Sequence, residues 1–314
     1  MKKIITIIGP TAIGKTNLSI ELAKLINGQI VGLDSRQIYK GMSIGTAQPT
    51  ELEMGLVKHH LIGFREPWES ISAGEYSGMV IEITKNITKS GFSPIISGGA
   101  GLYYRALTSG IFDESTSNMD IRLEIENAYD LNPILLYEKL KKIDPDYAKI
   151  VHINNKKRLV RALEIYQITG VSPSKNFEKQ KNQQNKQKKM NFFTIFLSVE
   201  RKIHRQIIRS RALEMMDNGW IEETKRLIKI KEQKNIDLPA LNSIGYEQIV
   251  NFLNGEMSKE ALLETIINKT WQYARKQVKW FRNEDIDLTI DIANLDSASA
   301  ANCIYDLYLS LIHI

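Results

Sequence analysis

Residues 4–16 read Ile-Ile-Thr-Ile-Ile-Gly-Pro-Thr-Ala-Ile-Gly-Lys-Thr, a pattern typical of a strand that runs through a glycine-rich turn into a helix. The run Ile4–Ile8 is short, apolar and β-branched, which predicts a buried parallel strand. Gly9–Thr16 then complete the phosphate-loop pattern G-x-x-x-x-G-K-T, and apolar side chains recur along one helical face over residues 17–26. A strand, a glycine-rich turn and a helix N-terminus surround an anion with backbone N–H groups. The alternative is a glycine turn without a ligand, but the complete context favours phosphate binding.

The eight residues of this loop are the candidate binding site for a diphosphate or a nucleotide. They are Gly9, Pro10, Thr11, Ala12, Ile13, Gly14, Lys15 and Thr16. We expect Lys15 to neutralise the outer phosphates, and the Thr16 hydroxyl to contact a phosphate or a Mg²⁺ ion.

Composition excludes several classes of protein. With 314 residues the chain can bury a sizeable core, as one large domain or two unequal ones. Its one cysteine, Cys303, rules out an intrachain disulfide and a cysteine-based zinc module. No apolar run approaches the roughly 20 residues that span a bilayer. Glycine, proline and lysine interrupt the apolar N-terminal run, so we expect no secretion signal and a cytoplasmic protein.

Positive charge is concentrated in one part of the chain. The formal net charge is +6, yet residues 151–211 hold 15 Lys and Arg against 3 Asp and Glu. Such a basic block is typical of a protein that binds a polyanion. A solvated basic surface without a partner is the alternative, since a charge run is weak evidence alone.

The pattern of elements predicts an α/β fold with a doubly wound parallel sheet. A second strand, residues 29–33, ends on Asp34, and a third, residues 94–97, runs into Gly98-Gly99-Ala100-Gly101. Alternating strands and helices with ligand-type loops at the strand carboxyl ends are the mark of this architecture.

A helical segment interrupts the sheet. From residue 113 to 169 the apolar spacing is helical, and Pro133 and Pro145 punctuate it as helix starts or stops. Residues 178–189 contain no apolar side chain and predict a mobile, solvated loop. A buried strand over 192–197 returns the chain to the sheet, and a helix covers 261–282. We expect a first core part at 1–112, a helical insertion at 113–190, and the rest of the core with C-terminal helices at 191–314.

Asp34 lies at the same edge of the predicted sheet as the phosphate loop, because the carboxyl ends of parallel strands share one edge. It is therefore a candidate general base or magnesium ligand. The competing interpretation is a helix N-cap, and the residues alone do not decide between the two. Ser35, Arg36 and Gln37 add a hydroxyl, a guanidinium and an amide, which suit contacts to the edge of a base.

Seven motifs occur in the order found in one enzyme family. They are Gly9–Thr16, Asp34–Met42, Gly45–Pro49, His59–Ile62, Gly98–Tyr103, Arg158–Glu164 and, near the C-terminus, Gly245-Tyr246 with Gln272–Arg282. In these the chain resembles the tRNA dimethylallyltransferases, also called tRNA isopentenyltransferases, over residues 4 to 282. Each motif is modestly specific, but the set in register is highly specific.

The resemblance implies a P-loop fold and a prenyl transfer. The donor would be dimethylallyl diphosphate, and the acceptor the exocyclic amine of the adenine immediately 3′ of the anticodon, in tRNAs that read codons beginning with U. Lys15, Thr16 and Mg²⁺ would stabilise the departing diphosphate, and Asp34 would orient the amine and accept its proton. The product would be an isopentenyladenosine.

The resemblance also implies a tRNA-binding set. It comprises Asp34, Ser35, Arg36, Gln37, Ala100, Lys157, Arg158, Leu159, Val160, Arg161, Arg211, Arg275 and Arg282. Arg158 and Arg161 share a helix face and would grip phosphates, unless they form a surface ion-pair cluster. Tyr273 and Trp280 are candidates for stacking on bases, with a core role favoured. His59 and His60 are expected to be hydrogen-bonded rather than zinc ligands.

At four positions the chain departs from the family pattern. Ile13 replaces a small hydroxyl residue, Gln48 a lysine, Ala100 a threonine, and Glu247 a common lysine. None of these is a residue that the reaction requires, so the departures bear on affinity and tRNA selectivity.

Three other functions remain open from the sequence. A prenyltransferase acting on free AMP, ADP or ATP needs the same loop and aspartate, but no basic block. A P-loop kinase or ATPase would bind ATP, yet no convincing Walker-B strand is found. A non-catalytic RNA-binding protein would not need Asp34. Nothing in the sequence demands more than a monomer.

Overall fold

The computed structural model describes residues 3–110, 118–184, 190–293 and 295–312. The chain forms two compact units, one of residues 1–108 with 190–314 and the other of residues 109–189. Within the described residues, no helix combines the length and the apolar character needed to cross a bilayer.

The first unit is built on a parallel sheet with strand order β3-β2-β4-β1-β5-β6. Its strands are β1 (Ile4–Ile8), β2 (Gly28–Leu33), β3 (His59–His60), β4 (Ser93–Gly98), β5 (Phe192–Ser198) and β6 (Leu288–Asp291). The predicted doubly wound parallel sheet is confirmed, as is the return of the chain through β5. The sequence reading missed the outer strands β3 and β6, which are short and carry polar residues.

Helices connect the strands and form the second unit. They are α1 (Lys15–Ile26), α2 (Glu51–Leu56), α3 (Ala73–Lys89), α4 (Gly101–Ser109), α5 (Met119–Leu131), α6 (Pro133–Ile143), α7 (Pro145–Ile150), α8 (Lys156–Thr169), α9 (Pro173–Gln184), α10 (Arg201–Asp217), α11 (Trp220–Lys234), α12 (Tyr246–Leu253), α13 (Lys259–Phe281) and α14 (Ser297–Ile312). A short 3₁₀ helix spans Pro239–Asn242.

The core of the first unit lies between the sheet and helices α1 and α14. Ile5, Ile7 and Ile195 are buried on the central strands, and Leu22 and Ile304 cover them from the two helices. Burying each of these side chains stabilises the fold by about 1.5–3 kcal/mol. The continuous apolar character of β1 follows from this burial, because both faces of a central parallel strand are covered.

The second unit has its own helical core, centred on Leu140, Leu159 and Leu163. Pro133 and Pro145 each occupy the first turn of a helix, as predicted, where a missing N–H costs no hydrogen bond.

The prediction of a loop over residues 178–189 is wrong for its first part. Helix α9 continues to Gln184, and residues 185–189 lie outside the described residues. The segment is rich in lysine and glutamine, which have high helix propensity and need no buried face to continue an existing helix.

Candidate active site

The carboxyl ends of three strands bring the sequence motifs of the first unit together. Gly98 at the end of β4 pairs with Ile8 of β1 on one side and with Leu33 of β2 on the other. The phosphate loop follows Ile8, Asp34 follows Leu33, and the glycine-rich turn follows Gly98. The three segments that carry the sequence motifs therefore start at one level of the sheet edge.

The phosphate loop has the backbone that its glycines allow. Ala12 and Gly14 take left-handed conformations, with φ of 60° and 80°. The Lys15 ammonium donates hydrogen bonds to the carbonyl oxygens of Gly9 and Pro10, at 3.1 and 2.7 Å. Helix α1 begins at Lys15, so its free N–H groups point into the loop.

Two side chains from distant helices brace the loop at Thr11. The Thr11 N–H donates to Oε1 of Gln277 at 2.8 Å, while Nε2 of the same amide donates to the Gly99 carbonyl, also at 2.8 Å. His204 Nε2 lies 2.8 Å from the Thr11 carbonyl. Neither contact was predicted from the sequence, in which Gln277 is part of a motif and His204 belongs to none, because both contacts span about 180 residues or more.

Asp34 caps its own turn rather than a helix. Its Oδ1 accepts the N–H groups of Arg36 and Gln37, at 2.7 and 3.2 Å, in an Asx turn. Among the described residues, Oδ2 of Asp34 accepts no hydrogen bond. One carboxylate oxygen is therefore structural and the other is available for a ligand.

Asp34 shares its surroundings with two cations. Burial lowers the pKa of Lys15 to about 8; the charge of Asp34 opposes that shift, and Arg211 adds to it. Burial also lowers the pKa of Arg211, against the attraction of Asp34. Arg211, which the sequence predicts as a tRNA contact, is close enough to Lys15 for its positive charge to lower the pKa of that side chain.

Tyrosine side chains line the region around Asp34. Burial raises the pKa of Tyr273 to about 12, with Asp34 adding to the effect. It likewise raises the pKa of Tyr103 to about 12, and the ring of Tyr103 stacks on Tyr76 with centroids 4.4 Å apart. Tyr76 is fully buried and donates to the Gly32 carbonyl at 2.7 Å. The wall beside Asp34 is therefore neutral and aromatic at physiological pH.

Two glutamine side chains hold the segment that follows Asp34 in place through hydrogen bonds to its backbone. Nε2 of Gln37 donates to the carbonyls of Thr46 and Ala47, at 3.3 and 2.6 Å. Nε2 of Gln48 donates in turn to the carbonyls of Gln37 and Tyr39, at 2.8 and 2.7 Å. Gln48, at the position where the family usually has lysine, thus stabilises residues 37–39 with hydrogen bonds from a neutral amide.

The other departures from the family pattern are also packed or paired. Ile13 is 1% exposed and belongs to the core of the first unit. Ala100 is buried, and Glu247 pairs with Lys269 at 3.1 Å, which lowers its pKa.

The oxygen donors beside the loop suit a magnesium ion. The Thr16 hydroxyl has no hydrogen-bond partner among the described residues, and Thr16 lies in the first turn of α1, the end of a helix that favours anions. Mg²⁺ commonly takes one or two protein oxygens together with substrate phosphates and water. The described residues contain no group of three or more His, Cys, Asp or Glu side chains able to hold a metal without such a substrate.

His59 and His60 are hydrogen-bonded, as predicted. His59 Nδ1 lies 2.8 Å from the Val57 carbonyl, and His60 Nε2 lies 2.8 Å from Oε1 of Gln29. Burial lowers the pKa of both imidazoles, so they are neutral at physiological pH.

The second unit presents the predicted basic helix, α8, but not all of its residues are accessible. Lys157 and Arg158 are exposed. Leu159 and Val160 are 0% and 2% exposed and lie in the core, so we remove these two side chains from the predicted tRNA contacts.

Arg161 differs from its neighbours on α8, because it is part of an ion-pair network. It donates to the buried Glu164 carboxylate at 2.7 Å, and Arg122 donates to the same oxygen at 2.9 Å. Although burial alone would raise the pKa of Glu164, these two guanidinium groups lower it.

Helix α13 and its C-cap residue carry the remaining candidates. Arg275 and Arg282 are exposed, and Tyr273 is 39% exposed. The guanidinium of Arg105 lies 4.4 Å from the ring centroid of Trp280, on the face of the indole. This contact occupies one face of Trp280, which supports the predicted core role over base stacking.

A phosphate loop at the edge of a parallel sheet, flanked by a carboxylate and two cations, defines a P-loop protein. The family model for IPP transferase matches residues 37–284. A tRNA dimethylallyltransferase from Anoxybacillus flavithermus is 39% identical over 90% of this chain and 88% of the relative. One from Thermodesulfovibrio yellowstonii is 37% identical over 99% of both chains. The chain therefore belongs to the IPP transferase family and is an enzyme.

Solved structures agree with this assignment. The full-length tRNA isopentenylpyrophosphate transferase from Bacillus halodurans superposes with a TM-score of 0.68, at 31% identity and full coverage of both chains. A eukaryotic dimethylallyltransferase acting on tRNA gives a TM-score of 0.82 at 28% identity, covering 99% of this chain and 80% of that one.

Proposed function

We propose that the protein transfers a dimethylallyl group from dimethylallyl diphosphate to the exocyclic amine of the adenine 3′ of the anticodon, in tRNAs that read codons beginning with U. One observation carries the proposal. Oδ2 of Asp34, which accepts no hydrogen bond from the part of the chain that the structure describes, shares its electrostatic environment with Lys15 and Arg211 at the phosphate loop. A proton acceptor beside a cradle for an anionic leaving group is what this transfer requires.

The reaction breaks the bond between the allylic carbon and the diphosphate oxygen, and the electron pair leaves with the diphosphate. Lys15, Arg211 and the loop N–H groups neutralise the charge that develops on that oxygen. A bond forms between the adenine amine and the allylic carbon. The amine proton passes to Oδ2 of Asp34, while Oδ1 keeps the carboxylate oriented through its two backbone hydrogen bonds.

Enzymes of this class use a divalent metal in general. In this chain the Thr16 hydroxyl would hold Mg²⁺ together with the diphosphate oxygens. The ion would supply further positive charge to the leaving group.

The acceptor is expected to be a base extruded from the anticodon loop, since a stacked base does not present its amine to a protein pocket. Arg36 and Gln37 would contact its edge. Lys157 and Arg158, exposed on the second unit, would bind phosphates of the anticodon arm, with Arg275 and Arg282 as further contacts. The enzyme would act as a monomer.

The test is mass spectrometry of tRNA nucleosides after incubation with dimethylallyl diphosphate, Mg²⁺ and unmodified tRNA. Isopentenyladenosine should form with the wild-type protein. Asp34→Asn retains the Oδ1 acceptor but removes the base, and should slow the transfer about 100-fold or more with little change in tRNA affinity.

Asp217→Asn is the matched control, because that carboxylate is exposed at the end of α10. Near-normal turnover by Asp34→Asn would refute its role as the base. A parallel incubation with free AMP separates this function from a nucleotide prenyltransferase, since prenylated AMP in place of prenylated tRNA would overturn the proposal.

A further inference from the structure

A buried carboxylate lies away from the phosphate loop and has no role in the chemistry above. Glu223 of α11 is 1% exposed. It accepts the backbone N–H groups of Ile44 and Gly45, both at 2.9 Å, and the Tyr246 hydroxyl at 2.6 Å. No cation pairs with it among the described residues. Burying an ionised group is costly, and here the charge-assisted hydrogen bonds from Ile44 and Gly45 offset that cost.

The loop formed by residues 43–48 packs directly on the aromatic side chains around Glu223. A Cβ added to Gly45 would overlap the indole of Trp220 and the ring of Tyr246. Those two rings pack edge to face with centroids 5.7 Å apart. Only glycine permits this approach, so the hydrogen bonds and the packing fix the same point of the loop.

This anchored point is connected to the segment after Asp34. Immediately beyond Gly45, the carbonyls of Thr46 and Ala47 hold the Gln37 side chain, and the Gln48 amide holds the Gln37 carbonyl. A shift at Gly45 therefore reaches Gln37 through short, directional contacts. The phosphate loop is braced separately, by Gln277 and His204.

We propose that Glu223 is a positioning residue for the acceptor. It anchors residues 43–48 so that Gln37 and its neighbours are preorganised for the adenine, and it leaves the diphosphate subsite unaffected. The inference rests on the proposed prenyl transfer to tRNA, and it assigns the two substrates to separately supported parts of the site. Loss of the anchor lowers the population of the acceptor-competent loop, which weakens productive tRNA binding by the same factor.

The test compares Glu223→Gln with Glu222→Gln, a matched change at the preceding residue, whose exposed carboxylate pairs with Lys225. Glu223→Gln should lower kcat/KM for tRNA about tenfold, the effect expected for one charge-assisted hydrogen bond. The Kd for dimethylallyl diphosphate should stay within about twofold of wild type. Glu222→Gln should leave both values unchanged.

Amide hydrogen exchange distinguishes positioning from general destabilisation. Exchange should accelerate in residues 43–48 of Glu223→Gln and stay unchanged in β1 and β4. A tRNA kcat/KM equal to that of Glu222→Gln, or an equal loss of diphosphate affinity, would overturn the inference.

If Glu223→Gln does not fold, Tyr246→Phe provides the test, because this change removes one hydrogen-bond donor to Glu223 and keeps the aromatic ring. That variant should lower kcat/KM for tRNA about threefold, and an unchanged value would overturn the inference.

A different result would refute the proposed function itself. If that function were wrong, the wild-type protein and Glu222→Gln would transfer no prenyl group to tRNA.

Discussion

Raising the pH through 8 should weaken binding of the prenyl diphosphate, because Lys15 loses its proton in that range. Burial lowers the pKa of the free Lys15 ammonium to about 8. A bound diphosphate favours the charged form and raises that pKa again. Affinity is therefore complete well below pH 8 and falls as the pH rises through 8.

The size of the effect follows from the protonated fraction of Lys15. Relative to the plateau at lower pH, affinity should fall about twofold at pH 8 and about tenfold at pH 9, or roughly 1.4 kcal/mol. The terminal phosphate of the ligand ionises near 6, so it contributes little to this slope.

Isothermal titration with a non-reacting thiolo analogue of dimethylallyl diphosphate measures this, in buffers of different ionisation enthalpy to count the protons taken up. Lys15→Met is the control, and should bind weakly with no inflection near pH 8. A flat wild-type profile between pH 7 and 9.5, or the same slope in Lys15→Met, would refute the reasoning.

The neighbours of Lys15 should move the inflection in opposite directions. Asp34 raises the pKa of Lys15 and Arg211 lowers it, both to a smaller extent than burial does. Asp34→Asn should therefore shift the inflection to lower pH, and Arg211→Gln should shift it to higher pH. Shifts of the same sign in both variants would show that charge at these two positions does not control Lys15.

Two further predictions concern the second unit. Replacing the exposed Lys157 and Arg158 by glutamine should weaken tRNA binding and lower the slope of log K against log salt by about two, as measured by filter binding; an unchanged slope would exclude this face. Glu164→Ala should lower the free energy of unfolding by about 3–5 kcal/mol in urea titrations, because Arg122 and Arg161 lose the buried carboxylate they share, and a loss under 1 kcal/mol would contradict that account. Since the pKa of Glu164 is lowered from 4.5, its contribution is present above pH 4.5 and is lost as the pH falls through the folded value.

Local pattern was sufficient for much of the site. The apolar run of β1 and the glycines that follow it predict both the strand and the loop, because burial and backbone freedom act within a few residues. The position of Asp34 after β2 was likewise predictable, from the rule that parallel strands share a carboxyl edge. Helix α9 was not, since a polar composition is compatible with both a loop and an exposed helix.

The structure adds to the interpretation of two arginines that the sequence predicts as tRNA contacts. Arg161 looked like a phosphate contact beside Arg158, but it pairs with buried Glu164. Arg211 was predicted as a tRNA contact, and the structure adds that its charge also acts on Lys15 and Asp34. Arg158 and Arg161 are the same type of residue on the same helix, and only the buried partner of Arg161 distinguishes the two.

The order of the residues was enough to predict that a phosphate loop follows a buried strand, that an aspartate follows the next strand, and that a helical segment interrupts the sheet. The tertiary structure decided which groups support them: Gln277 and His204 at Thr11, and Glu223 beneath Gly45. Strand, turn and helix preferences depend on neighbours within a few residues of the chain. The supporting contacts join residues about 180 or more positions apart, and such contacts exist only once packing has brought the helices to the sheet edge.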